Sequence, residues 1–252
     1  MHGYGAAVVT PHVFATQAAM ALIASGANAV DAAIAANATL GVVAPETCGI
    51  GGDLFALVHR PGVDRPETLN ASGRSGTGAD PDRLRAAGHL TMPPFHPQAV
   101  TVPGCVDGWE ALLARHGSRD LDEILAPAIR LANEGFPASA ELSLALTRRS
   151  ELRNETASVG LYPDGNPPYP GDRLGRPGLA ATLSAIANGG REAFYLGPSG
   201  ENIIEATGGV ITGEDLEQVQ SEWVEPISAV AFGLTGWVVP PNSQGYLTIA
   251  SC

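Results

Sequence analysis

The chain has 252 residues, enough for one large domain or two small ones, and 44% hydrophobic residues with a mean hydropathy of +0.08 exclude a disordered polypeptide. Net charge is −12 and all 14 basic residues are Arg, so the surface repels phosphate backbones and a nucleic-acid-binding role is excluded. No stretch reaches the roughly 18 apolar residues of a membrane-spanning helix, and Cys48, Cys105 and Cys252 have neither metal-site nor disulfide-scaffold spacing.

Met1-His-Gly-Tyr-Gly has no basic region ahead of an apolar one, which reads as a cytoplasmic protein or one whose true start lies upstream. Thr10 and Pro11 supply an N-cap and an N1 proline for a first helix through Phe14, Ala18, Ala21 and Leu22 to Gly26. Asn28 caps a second helix with Asp31 as its capping-box partner, and Val30, Ala33, Ile34, Asn37 and Leu40 lead to Gly41. Ala on both faces of each helix predicts close packing against other backbone layers. Leu54–Val58 is a short apolar strand, with Thr68–Asn70 as its neighbour across a turn-rich stretch.

Asp80-Pro81 opens a short charged helix, and the Pro-rich stretch 88–104 is loop with one strand at Ala99–Val102. Helices are predicted at Asp107–Arg115, Leu121–Asn133 closed by Gly135, Ser139–Arg153, Gly178–Ala187 and Ser199–Ala206. Thr212 and Asp215 form another capping box. Glu222–Val239 returns to strand, with Gly233 and Gly236 at bends. The pattern is α+β in a single domain over residues 1–252, helix-rich in the middle with strand segments near both ends.

The run CGIGGDLF (48–55) invites a phosphate-loop reading. A Walker A loop needs a Lys that this chain lacks, and a dinucleotide fingerprint needs Gly where Leu54 stands. Gly49, Gly51 and Gly52 are instead suited to close chain approach. The six histidines (His2, His12, His59, His89, His96 and His116) are scattered, and only His89 and His96 are near neighbours. No Ser or Cys is tied to a His and an acid by spacing, and Cys48 and Cys105 read as small buried residues. Arg74 stands out in LNASGRSGTG (69–78), where small neighbours leave its planar fork room to hold a carboxylate. The plain alternative is a solvated surface Arg.

Residues 8–58, VVTPHVFATQAAMALIASGANAVDAAIAANATLGVVAPETCGIGGDLFALV, resemble the opening of the γ-glutamyltransferases (γ-glutamyl transpeptidases). The resemblance continues, in order, through AVTVPGCVDGWEALLARHG (99–117), ILAPAIRLANEGFPAS (124–139) and YPGDRLGRPGLAATLSAIANGGREAFYLG (169–197). It extends through GGVITGEDLEQVQSEWVEPIS (208–228) and GWVVPPNSQG (236–245), and is strongest to members with GIGGD and PPNSQG loops. It implies an N-terminal-nucleophile hydrolase fold, a four-layer αββα sandwich of which this chain is an incomplete part. The precursor of such an enzyme cuts itself, and the freed Thr of the smaller piece attacks a γ-glutamyl amide of the glutathione type, with its own amine as base. Transfer to water or an amine follows, with no metal and no organic cofactor.

The resemblance further implies that the nucleophilic Thr lies beyond Cys252. No catalytic residue is therefore expected in this chain, which alone is inactive. The partners implied are a small-molecule γ-glutamyl substrate and a small subunit or C-terminal half, with no nucleic acid and no membrane. Trp237–Val239 becomes a strand entering a loop on the active-site side, and Tyr246–Cys252 opens a helix. Well-known members carry a carboxylate-binding Arg where Ser72 aligns here; Arg74, two residues on, takes the substrate-binding role. The alternatives are an inactive fragment or pseudo-enzyme acting by binding, a related acylase with a non-glutamyl substrate, and an anion-binding module built on the glycine loop.

Overall fold

The computed structural model describes residues 5–94 and 96–252, so His2 and the other residues of the first four lie outside the described residues. The protein is α+β, about half helical, and its strands pair antiparallel throughout the described residues. It divides into two compact units, one of Met1–Gly49 and Arg115–Gly190, the other of Ile50–Ala114 and Arg191–Cys252.

In the first unit, α1 (Val13–Ala24) and α2 (Ala29–Val43) form a helical pair. Ala15, Ala19, Ala32 and Ala36 make the seam, and small side chains let the two backbones approach closely, as the Ala-rich sequence predicts. Thr10 does not cap α1. Its hydroxyl bonds the His12 carbonyl and Thr16, and His12 becomes the N-cap, its Nδ1 accepting from the Phe14 N–H. Asn28 and Asp31 form the expected capping box on α2. The same Asp31 also accepts from the Ser118 backbone and hydroxyl, at 3.0 and 2.5 Å. α2 runs through Gly41 to Val43, where the Arg176 Nη1 donates to the Gly41 carbonyl at 2.6 Å.

The second unit holds a three-stranded sheet. β1 (Leu54–Val58) pairs with β2 (Glu67–Ala71), placing Phe55 opposite Asn70. α3 (Pro81–Ala86) starts on an Asp80 cap with Pro81 at N1, as the Asp-Pro step predicts. The strand expected at Ala99–Val102 is absent: Pro97–Ala99 form a single 3₁₀ turn, and only an isolated bridge joins Thr101 to Ser75. The Ala99 and Val100 N–H groups close that turn on the His96 and Pro97 carbonyls, at 2.8 and 3.1 Å, and are not free for a ladder.

α4 (Cys105–His116) and the amphipathic α5 (Leu121–Glu134) follow, the latter closed by Gly135 at φ 92°. β3 (Phe136–Pro137), α6 (Ala140–Arg148) and β4 (Arg173–Leu174) complete the middle, with β4 paired to β3. The helix predicted to reach Arg153 stops at Arg148 and continues as 3₁₀ turns. α7 (Pro177–Tyr195) is interrupted at Gly190, whose φ of 58° and ψ of −145° are not helical. α8 (Pro198–Thr207) and α9 (Gly213–Glu217) lead to β5 (Glu222–Val224), which adds to β2 for the order β1-β2-β5.

β6 (Ile227–Ala231) and β7 (Leu234–Val238) are a separate hairpin, turned at Phe232 and Gly233, both with positive φ. Gly236 is not at a bend: it sits inside β7 opposite Ala229. A final helix, α10 (Gly245–Ala250), packs on this hairpin.

Candidate functional site

The loop leaving β2 is shaped by two chain segments in backbone contact. A Cβ built on Gly73 would lie 1.7 Å from the Val102 carbonyl oxygen, and one on Gly104 would lie 2.0 Å from that of Ala71. Gly73 also has a φ of 78°, a conformation side chains disfavour. The Val102 N–H then bonds the Arg74 carbonyl at 2.9 Å. Gly49, Gly51 and Gly52 were expected to serve such an approach; a Cβ on Gly49 or Gly51 meets nothing within 4 Å in this chain, while the Gly52 carbonyl accepts from the Gly104 and Cys105 N–H groups at 2.9 and 3.0 Å.

This crossing delivers Arg74 to a polar cavity of about 260 Å³, lined by Asn70, Ser72, Gly73, Arg74, Gln220, Glu222 and Asn242. The Arg74 Nη1 donates to the Val219 carbonyl at 2.8 Å and its backbone N–H to the Gln220 Oε1 at 3.1 Å. Gln220 is itself fixed, its Nε2 donating to the carbonyls of Asp215 and Gln218. At the mouth, Asn242 from the PPNSQG loop joins the side chains of Asn70 and Ser72, at 2.9 and 2.8 Å.

Beneath the cavity lies a buried charge pair that sequence reading missed. Asp107, 1% exposed in the first turn of α4, accepts from the Arg191 Nε at 2.6 Å and from the Gln220 N–H at 2.7 Å. The Arg191 Nη2 donates to the carbonyls of Leu216 and Gln218, and its guanidinium stacks 4.8 Å from the centre of the Tyr195 ring. The Tyr195 hydroxyl donates to the Pro103 carbonyl at 2.6 Å. Burial first, and the adjacent Asp107 carboxylate second, push its pKa far above the usual phenol value. Asp107 and Arg191 are 84 residues apart, and no local pattern links them.

Asp215 ties the same segment to the loop after Arg74. Burial pushes its pKa up, but hydrogen bonds from the backbones and hydroxyls of Thr77 and Thr212 outweigh burial and hold it below the usual value. Asp215→Asn is expected to lower stability at pH 7 by about 1–2 kcal/mol, as for a lost cap. Because the folded pKa is depressed, the contribution is full above the unfolded value of about 4 and disappears as pH falls through the folded one. Urea midpoints for both proteins at neutral and strongly acid pH check this; an equal gap at both would refute it.

The remaining sequence candidates lie apart from this site. The His89 and His96 rings meet at 6.1 Å, with the His96 Nδ1 accepting from the Gln98 N–H, and no group of three or more metal-ligating residues exists among the described residues. Cys105 is buried, Cys48 contacts Asn37, Cys252 is exposed, and none is in a disulfide. Among the described residues, no helix is long and apolar enough to cross a membrane.

The chain is similar to known proteins over nearly its whole length. Residues 15–251 match the Gamma-glutamyltranspeptidase family. The chain is 36% identical over 244 residues to the glutathione hydrolase-like YwrD proenzyme of Bacillus subtilis, covering 95% of this chain and 46% of that protein. It is 36% identical over 256 residues to the oxamate amidohydrolase proenzyme of Klebsiella pneumoniae, covering 96% of this chain and 47% of that one. Among solved structures, Helicobacter pylori gamma-glutamyltranspeptidase matches with a TM-score of 0.89 at 27% identity, over 97% of this chain and 72% of that one. The chain spans about half the length of the curated relatives it matches.

Proposed function

The chain belongs to the gamma-glutamyltranspeptidase family, and from that premise we propose that it is the large-subunit part of an enzyme that cleaves γ-glutamyl amides. Its structural relatives give it the N-terminal-nucleophile hydrolase fold. In this reading a Thr oxygen adds to the γ-carbonyl, the carbon–nitrogen bond breaks, and the amine leaves with the Thr proton. Water or an acceptor amine then takes the acyl group. In this reading the Thr and a small-subunit partner lie outside the residues of this chain.

What carries the reading is Arg74. It lines a polar cavity with one Nη pinned on Val219, and its remaining N–H groups suit the free carboxylate of a γ-glutamyl donor. In the self-cleaved enzyme that contains this chain, Arg74→Ala is expected to raise KM for a γ-glutamyl anilide by roughly ten- to hundredfold, with a smaller change in kcat. An unchanged KM would remove Arg74 from the site.

One observation favours a second reading. A relative matching at 36% identity is named an oxamate amidohydrolase, and oxamate also carries a carboxylate close to its amide. A site with Ser72 and Arg74 could hold that shorter acid. Comparing kcat/KM for oxamate with that for the γ-glutamyl anilide separates the two, and a large excess for oxamate would select the second.

A further inference from the structure

The cavity contains a closed ring of hydrogen bonds whose direction is set by covalent structure. The backbone N–H of Ser72 donates to the Asn70 Oδ1 at 3.1 Å. The other end of that amide is therefore its NH₂ group, and Nδ2 donates to the Asn242 Oδ1 at 2.9 Å. Asn242 then presents its own Nδ2 to the Ser72 Oγ, at 2.8 Å. The ring starts and ends on Ser72, and because one member is a backbone N–H it runs in one direction only.

The consequence falls on the Ser72 proton. With a lone pair of Oγ engaged by Asn242, the hydroxyl has its O–H left to donate, and no acceptor for it exists among the described residues. Ser72 lines the same cavity as Arg74, whose Nη1 is already on Val219. The cavity thus offers an oriented neutral donor beside the remaining donors of a guanidinium. Glu222 lines it as well.

We infer that Ser72 is a second ligand for the substrate's acid group, acting with Arg74, and that Asn70 and Asn242 are positioning residues that aim its proton into the cavity. The ligand class is a small amide bearing one carboxylate at this end. The inference rests on the proposed reading of the cavity as the acid-binding site, and it adds a residue and a directional relay to it.

The test is steady-state kinetics of the self-cleaved enzyme containing this chain on a γ-glutamyl anilide and on oxamate. Ser72→Ala is expected to raise KM about tenfold or more, with kcat within about twofold, since one hydrogen bond to a charged group is lost. Ser72→Thr keeps the hydroxyl and is expected to restore KM. Asn242→Asp keeps the shape but can only accept, so it draws the Ser72 proton out of the cavity and should reproduce the Ser72→Ala effect. In the Ser72→Ala background, Asn242→Asp should then add nothing.

Fully additive effects of the two changes would overturn the relay, because the new charge would then be acting directly. An unchanged KM in Ser72→Ala beside a raised KM in Arg74→Ala would overturn the Ser72 assignment and leave the cavity reading standing. A raised KM in Ser72→Ala with none in Arg74→Ala would remove Arg74 and keep the hydroxyl. No effect of either change would overturn both.

Discussion

Replacing Asp107 by Ala is expected to destabilise the protein by about 3–5 kcal/mol, as for a buried ion pair broken on one side. Asp107 is 1% exposed and the Arg191 side chain 21%, so solvent screens the pair weakly. Removal of the carboxylate leaves the Arg191 Nε and the Gln220 N–H without their acceptor. Asp107→Asn keeps the volume and one acceptor oxygen, and is expected to lose about half as much, since an amide cannot serve both donors. Urea denaturation of the three proteins measures it. A loss below about 1 kcal/mol for the Ala variant would contradict the burial argument. The effect should also reach the cavity, because Gln220, held by Asp107, accepts from the Arg74 backbone.

Gly104→Ala is expected to be at least as damaging. Its Cβ would sit 2.0 Å from a backbone oxygen and 3.0 Å from the Gly73 nitrogen, and a backbone cannot swing aside as a side-chain tip can. Either segment 102–104 or the loop carrying Arg74 must move, at a cost of more than about 3 kcal/mol from overpacking against main chain. Gly51→Ala is the control: its Cβ meets nothing within 4 Å in this chain, so stability should change by less than about 0.5 kcal/mol. Thermal and urea unfolding of both variants decide the matter. Equal behaviour would show that the crossing of the two segments is not as close as described.

What could be read from sequence was local. The Asn28–Asp31 and Thr212–Asp215 caps, the Asp80-Pro81 helix start and the β1–β2 pair each rest on residues a few positions apart, and each is found where expected. Where a side chain had a competing partner, local reading slipped. Thr10 looked like a cap, but its hydroxyl is engaged by His12 and Thr16, so the role passed two residues on. Ala99–Val102 looked like a strand by composition, but the Ala99 and Val100 N–H groups are spent on the His96 and Pro97 carbonyls of a 3₁₀ turn.

Of the cavity's lining, sequence reading singled out Arg74 as the ligand candidate, beside the aligned Ser72 and the PPNSQG loop. Its support was not legible, because Asp107 and Arg191 lie 84 positions apart and Asn242 and Ser72 lie 170 apart. Such pairs are products of tertiary packing and leave no periodic trace. The glycines misled for a related reason. The run at Gly49–Gly52 is conspicuous, yet a Cβ on Gly49 or Gly51 meets nothing, whereas Gly73, Gly76, Gly78, Gly104 and Gly200 each lie against a backbone carbonyl that only the fold reveals.

The double hold on Arg74, through Val219 at its guanidinium and Gln220 at its backbone, has an entropic consequence. A free Arg side chain samples many rotamers, and fixing such a side chain at the moment a ligand arrives opposes binding by about 0.5–1.5 kcal/mol. Here the ordering happens when the chain folds, so in the proposed reading the substrate's acid group meets a guanidinium already oriented. Losing either hold would slacken affinity through disorder in the unliganded protein, with every contact in the liganded complex still intact.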